Sequence, residues 1–340
     1  MKLSSFSLFR KIGLDLGTNR TRIWDEKLGL LVDEASCIAI DQRVNKVVAV
    51  GNDALMMTGR VSDHIVVYFP IRDGLVENIE MAKSFLQVIF QKILPHTYFL
   101  RPIVMASIPA FASQIDRQVL TKLLYQLGSR EVYLVSQPLA SAIGSDVPIA
   151  DASGSFILNL GAGVVEGGII SFGNLVSFES NHHAGNYLDL LVQQAVKEKH
   201  KLNISSQAAE KLKNNIGSLE ESQAEALVTG QDLVTSAPKE VKVKSADILS
   251  VYQEVASSYV ILMRKLLEKV PPELTSDVID KGILLTGGMA SMQGLDFYLV
   301  QKMGVPVSVV DSCDQVVIKG LAVILENLDL FKESLGYQTI

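Results

Sequence analysis

Two stretches of this chain, KIGLDLGTNRTRIW (Lys11 to Trp24) and SFILNLGAGVVEGGII (Ser155 to Ile170), share one design. Each reads as an apolar strand, a glycine turn and a second strand. Laid over one another, Asp15 falls on Asn159 and Gly17 falls on Gly161. A supersecondary unit built twice restricts the chain to folds with two similar halves. The 340 residues, 48% hydrophobic and 20% charged, supply enough apolar surface for two cores and exclude a disordered chain.

The rest of the chain alternates strands with helices, with hairpins gathered after the glycine turns. GLLVDEASCIAIDQRVNKVVAVG supplies three short strands with polar turns expected near Asp33 and Asp41 to Asn45. Val76 to Leu94 carries Met81, Phe85, Val88, Ile89 and Ile93 at helical spacing, and RPIVMASIP is a buried strand. Gln114 to Leu127 reads as a helix with Gly128 as its stop, followed by strand, turn and helix in EVYLVSQPLASAIGS. Two helices, returning strands over Thr229 to Val243 and a long helix ended by Pro271 and Pro272 come next. Strand, glycine turn and helix in GILLTGGMASMQGLDFYLVQKMG, a strand in PVSVV and a helix over Lys319 to Asn327 close the pattern.

A glycine turn lets backbone N–H groups face a ligand with no side chain in the way, and a run of them is a nest for phosphate. Two such turns in matching halves can grip a polyphosphate from both sides. A third, LTGGMAS (Leu285 to Ser291), offers open backbone to a purine and ribose. Neither G-x-x-x-x-G-K-[ST] nor G-x-G-x-x-G occurs, so a phosphate site has to come from the hairpins. A net charge of -6 gives no support to nucleic acid as a partner. Cys37 and Cys313 lie far apart without metal-type spacing and fit a reducing cytosol. No apolar run reaches the roughly 18 residues of a spanning helix, and no signal peptide is expected.

GLDLGTNRT, NLGAGVVE, SQPLASAIGS, PIRDGLVENIE and PPELTSDVIDKGILLTGGMASMQGLD resemble the MreB family of bacterial actins, within the wider actin, Hsp70 and sugar-kinase class. The resemblance runs in order from about Lys11 to about Leu330. It implies an α/β, actin-like (ribonuclease H-like) duplicated fold with two lobes around a nucleotide cleft. The subdomains it implies are 1–32, 73–144 and 322–340 (IA), 33–72 (IB), 145–180 and 246–321 (IIA) and 181–245 (IIB). It also implies ATP and Mg²⁺ as ligands, self-assembly into filaments on the inner membrane face, and a cytoplasmic, membrane-associated location. Paralogous MreB chains and RodZ-like membrane proteins are the further partners it suggests.

Carried over by position, Asp15 holds Mg²⁺ through water, and Gly17, Thr18, Asn19 and Arg20 form the first phosphate turn. Arg20 stands where the family has Asn and could reach phosphate or solvent. Gly161, Ala162 and Gly163 form the second turn. Here the family's D-I-G-G-G-T-T-E reads NLGAGVVE, so Asn159 replaces a carboxylate while Glu166 is retained. Gln137 stands where MreB has a Glu that polarises the attacking water. Gln orients water without accepting a proton, so two carboxylates are missing from one reaction centre. Glu210, Lys211, Leu212 and Lys213 match the family's AERVKIEIG segment beside the ribose and base. Gly287, Gly288, Met289 and Ala290 match its adenosine loop, with Met289 in place of a Gly. In AGNYLD, Asn186 is another neutral exchange and Asp189 is kept.

The expectation is therefore nucleotide binding with slow or absent hydrolysis, since binding rests on backbone N–H groups and catalysis on placed water and Mg²⁺. Leu3, Phe6 and Phe9 share a helical face beside Lys2, Arg10 and Lys11, and Phe99 and Leu100 form an apolar loop tip. The family reading makes these two insertions a membrane anchor; the alternative is a frayed tail. Two rival functions stay open: a soluble kinase of the same fold, with Asp116 as the nearest base, and a nucleotide-independent scaffold that assembles with active paralogues.

Overall fold

The computed structural model describes residues 9–93 and 101–331. Four of the anchor candidates, Leu3, Phe6, Phe99 and Leu100, lie outside the described residues. The chain divides into two compact units: one formed by the chain up to Ile149 and from Gln315 onward, the other by Ala150–Asp314.

The first unit opens with strands β1 (Lys11–Leu16), β2 (Arg20–Asp25) and β3 (Gly29–Ala35), joined as antiparallel hairpins. Strands β4 (Ile38–Asp41), β5 (Lys46–Val50) and β6 (Ile65–Tyr68) form a separate small sheet covered by α1 (Asn52–Met57). A two-residue hairpin, β7 (Ile71–Arg72) and β8 (Leu75–Val76), turns through Asp73 and Gly74, both at positive φ. That pairing of an Asp-Gly loop with left-handed backbone is the type I′ turn that matches strand twist. Helix α2 (Ile79–Ile93), β9 (Ile103–Ile108), α3 (Gln114–Gln126), β10 (Glu131–Ser136) and α4 (Gln137–Gly144) follow. Strand β10 passes into α4 without the expected turn, because Pro138 sits in the first helical turn, where its missing N–H costs nothing.

The second unit repeats the opening with β11 (Ser155–Leu160), β12 (Val165–Ser171) and β13 (Asn174–Asn181). Then come α5 (Gly185–His200), β14 (Leu202–Asn203), α6 (Ser206–Ile216), β15 (Glu225–Asp232), β16 (Pro238–Lys244) and the long α7 (Ser245–Glu268). Helix α8 (Pro272–Lys281), β17 (Ile283–Thr286), a tight 3-10 turn (Gly288–Ser291), α9 (Leu295–Met303) and β18 (Val307–Val309) complete it. The chain then returns to the first unit as α10 (Val316–Glu326) and α11 (Leu328–Phe331). Helix α10 runs across the boundary expected between 321 and 322 and lies wholly with the first unit.

The two large sheets have one topology. In order they read β3-β2-β1-β9-β10 and β13-β12-β11-β17-β18. Each has three antiparallel strands followed by two added in parallel to the first strand. The turns match as well: the Gly17 N–H donates to the Arg20 carbonyl and the Gly161 N–H to the Val164 carbonyl, both at 3.0 Å. The repeat read in the sequence is thus a repeat of the whole sheet.

Alternation along the strands places the cores. Ile12, Leu14 and Leu16 pack with α2 and α3 on one face of the first sheet. Met105 and Val135 pack with Ile318, Leu321 and Leu325 of α10 on the other. Helices α4 and α10 meet backbone to backbone: a Cβ on Gly144 would stand 2.0 Å from the Val316 oxygen, and one on Gly320 1.8 Å from the Ala140 oxygen. In the second unit Phe156, Leu158 and Leu160 pack against α5 and α7 through Leu188, Val192, Tyr259 and Met263.

Candidate functional site

In the first unit three neighbouring strands, β1, β9 and β10, run parallel and end together. Their carboxyl ends carry Asp15, Ser107 and, just beyond β10, Gln137. Ligands of open α/β sheets bind outside such ends. The Ser107 hydroxyl donates to Asp15 Oδ1 at 2.7 Å. Burial pushes the Asp15 carboxyl above the ordinary range, opposed by that hydroxyl and by the Arg22 guanidinium. The Gly17–Arg20 turn is braced from outside. The Gly74 N–H donates to Thr18 Oγ1 at 2.9 Å, and the Ser36 hydroxyl donates to the Gly17 carbonyl at 2.7 Å. Gln137 is buried beneath the same Asp73–Gly74 turn, where a Cβ on Gly74 would stand 3.5 Å from its Nε2.

Arg20 does not join this rim. Its Nε reaches Asp33 Oδ1 at 2.5 Å and a terminal nitrogen reaches the Asp33 carbonyl at 2.6 Å. Asp33 was expected near a turn but lies within β3, opposite Arg22. The turn comes later, at Ser36 and Cys37. Asn19 uses its carbonyl to accept from the Ser36 N–H at 3.0 Å.

The second unit repeats the rim with different side chains. Asn159, next to last in β11, pairs with Thr286 at the end of β17, and Thr286 Oγ1 lies 3.4 Å from Asn159 Oδ1. Gly287 follows at φ 86°, and a Cβ there would stand 2.4 Å from the Leu160 oxygen and 2.8 Å from Asn159 Oδ1. Only glycine fits this crossing. The start of α5 docks on the turn: the Gly185 N–H donates to the Gly161 carbonyl and the Asn186 N–H to the Ala162 carbonyl, at 3.1 and 2.8 Å. Met289 is buried, with its Cγ and Sδ 3.3 Å from where a Gly185 Cβ would be. Its bulk therefore packs on the α5 terminus.

Beside this rim lies a cavity of about 440 Å³, lined by Lys213, Asn214, Asn215 and Gly217 from the end of α6, by Tyr252, and by Gly288, Met289, Ser291, Met292 and Gln293. This brings together the two segments picked from the sequence for the nucleoside. The volume falls in the range of small-ligand sites, with polar groups converging on it. Within the α6 segment the residues divide. Leu212 is a core residue and Lys211 is exposed, while Lys213 bonds Asp189 Oδ1 at 2.9 Å and its Nζ lies 3.4 Å from the Gly185 carbonyl. Glu210 is near enough to act electrostatically on Asp189. Tyr252 Oη donates to the Lys213 carbonyl at 3.0 Å.

Burial raises the Asp189 carboxyl above its usual value, and Lys213 pulls it back. An acid with a raised folded value favours the fold below its unfolded value and loses that support as pH rises through the folded value. Lys213→Met strands the charge and is expected to cost about 3 kcal/mol near neutrality. The loss should shrink in acid, as Asp189 takes up a proton. Urea unfolding at neutral and at acidic pH checks this.

The family described as MreB/Mbl protein matches residues 9–333. The chain belongs to the MreB/Mbl family. It is 31% identical over 322 residues to the cell shape-determining protein Mbl of Bacillus cereus, covering 94% of this chain and 97% of the relative. It is 33% identical over 341 residues to the cell shape-determining protein MreB of Pasteurella multocida, covering 95% and 97%. Its structure matches MreB5 of Spiroplasma citri bound to AMPPNP with a TM-score of 0.92 and 27% identity, over 96% of this chain and 99% of that one. The fold is accordingly actin-like.

Against the MreB/Mbl pattern, the sequence missed the hydroxyl partners Ser107 and Thr286, because they lie on strands distant in sequence. Phe9 is half-buried against the first unit's core, with the Arg130 guanidinium 4.0 Å above its ring. Asp116, the nearest base for a kinase, forms a reciprocal cap with Ser113, whose hydroxyl donates to its Oδ2 at 2.6 Å. Among the described residues no three His, Cys, Asp or Glu side chains gather into a metal cluster.

Proposed function

We propose that this chain is an ATP-binding actin-like filament protein that supports cell shape, with weakened hydrolysis. The observation that carries the reading is the cavity at the end of α6, bordered by the 288–293 turn, beside a Gly287 crossing that a Cβ would block. The Gly17 and Gly161 turns serve the phosphates through backbone N–H groups. Mg²⁺ at nucleotide sites takes one or two carboxylates together with water and phosphate oxygens, so a lone Asp15 fits it. When bound, the ion would neutralise phosphate charge. Asp15 would hold it through water, and Ser107 fixes the carboxylate that does so. Gln137 would orient water and Asn159 would offer a neutral amide, so binding survives better than turnover.

The relatives support the cellular role. Mbl of Bacillus cereus and MreB of Pasteurella multocida are cell shape-determining proteins by name, and MreB5 has been solved with AMPPNP and with ADP. The reading extends to filament formation on the inner membrane face, with paralogous MreB chains and RodZ-like proteins as partners. The anchor would rest on Leu3, Phe6, Phe99 and Leu100 rather than on Phe9. No helix of the described residues is long and apolar enough to cross a membrane. The capping bonds of Asp116 disfavour the kinase reading.

Sedimentation with and without ATP, run beside phosphate release, tests the proposal. Pelleting that requires ATP, with phosphate release about tenfold or more below that of an active MreB, is expected. Pelleting indifferent to nucleotide would identify the scaffold instead, and turnover equal to that of an active MreB would remove the claim of weakened chemistry.

A further inference from the structure

The carbonyls of both glycine turns are tied down, and in each unit the tie comes from the chain past the third strand of the large sheet. In the first unit Ser36, directly after β3, holds two of them. Its hydroxyl donates to the Gly17 carbonyl at 2.7 Å, and its N–H donates to the Asn19 carbonyl at 3.0 Å. In the second unit the start of α5, which follows β13, does the same with backbone alone. There the Gly185 and Asn186 N–H groups donate to the Gly161 and Ala162 carbonyls.

A trans peptide is planar, so its C=O and the N–H of the next residue point opposite ways. Holding the Gly17 carbonyl therefore fixes the Thr18 N–H on the side away from the Ser36 hydroxyl. Holding the Gly161 and Ala162 carbonyls fixes the Ala162 and Gly163 N–H groups in the same manner. A phosphate nest needs N–H groups fixed in this way.

The tie in the first unit has a second layer. Thr21 Oγ1 lies 2.8 Å from Ser36 Oγ, and both side chains are buried. A hydroxyl carries one hydrogen, and that of Ser36 goes to the Gly17 carbonyl, which only accepts. Thr21 is then the donor to Ser36, and the two bonds form a chain in which each polarises the other.

We propose that Ser36 is a positioning residue for the nucleotide: through the Gly17 carbonyl it holds the Thr18 N–H turned to the phosphates. The inference rests on the reading that the Gly17 turn serves nucleotide phosphates. The second unit makes its tie with main-chain groups that survive a change of side chain. The first makes it with a hydroxyl, which substitution can remove.

Three variants beside the unsubstituted chain test this. Ser36→Ala removes the hydroxyl and keeps the N–H tie to Asn19. Thr21→Val removes the outer hydroxyl and leaves the Ser36 bond in place. Ser171→Ala is the matched control. Its hydroxyl, also buried, donates to the Ala152 carbonyl at 2.6 Å, at the end of β12 away from the glycine turn.

In nucleotide-free protein, amide hydrogen exchange across residues 17–20 should speed up about tenfold in Ser36→Ala and stay unchanged in Ser171→Ala. Both variants should lower the melting temperature by about 5 °C. Affinity for a fluorescent ATP analogue with Mg²⁺ should fall about tenfold in Ser36→Ala and about threefold in Thr21→Val, and stay within about twofold in Ser171→Ala. Unchanged exchange in Ser36→Ala overturns the tie. Faster exchange with unchanged affinity overturns the positioning role, and so does an equal loss of affinity in Ser171→Ala. Should Ser36→Ala fail to fold, Thr21→Val decides, and unchanged affinity there overturns the role. Failure of the unsubstituted chain to bind the analogue overturns the function reading instead, and the exchange series still reads the tie.

Discussion

Gly320→Ala is expected to cost the first unit about 4 kcal/mol, toward the upper end of single-substitution effects. The added methyl would lie 1.8 Å from the Ala140 carbonyl oxygen, well inside van der Waals contact. The obstruction is backbone, so no side chain can turn aside. Helix α10 would have to lift from α4, and it also covers β1, where a Cβ on Gly13 would stand 3.4 Å from Leu321 Cβ. Since whole domains are stable by only about 5–15 kcal/mol, a lowered or split melting transition should result. Gly128→Ala is a useful control. Its φ is positive, unlike that of helical Gly320, and nothing lies within 4 Å of its Cβ position. That variant carries backbone strain without a contact, so a loss from Gly320→Ala no larger than its loss would overturn the helix-contact account.

Gln137→Glu is expected to raise phosphate release about tenfold to a hundredfold while nucleotide affinity stays within about twofold. The position is prepared for it. Residue 137 opens α4, where the helix dipole favours an anion. It lies at the end of β10, next to the strand carrying Ser107, the hydroxyl that binds Asp15. Affinity should be spared because backbone turns carry it. Single-turnover phosphate release compared with equilibrium binding separates the two quantities. A variant as slow as the unsubstituted chain would show that the missing base does not limit turnover.

The parts of this molecule set by local pattern were legible in its residues. The twin hairpins, the strand and helix order and the 288–293 wall of the cavity follow from glycine turns and periodicity, whereas its α6 wall was legible only through the family resemblance. Leu212 could have been assigned to the core, since Ala209, Leu212 and Ile216 recur at helical spacing and all three are buried. What was hidden depends on register between distant strands. The Asp33 that captures Arg20, the Ser107 that binds Asp15 and the Thr286 beside Asn159 become neighbours only when sheets form. Helix α8 was masked because Pro271 and Pro272 signal a stop, yet Pro272 occupies its first turn, where proline is welcome. Phe9 looked like part of an amphipathic tail until Arg130 and the core claimed it.

The glycine contact between α4 and α10 also bears on how the protein is made. The first unit is interrupted after Ile149 and resumes at Gln315, so 165 residues (150 to 314 inclusive) are translated in between. At about 5–20 residues per second a ribosome needs roughly 10–30 s for that stretch. Through that interval β1 and α4 wait without the helix that covers them, exposing an apolar face to chaperones or to other nascent chains. The second unit can close while the first is still unfinished, and the arrival of α10 is what lets the older half lock.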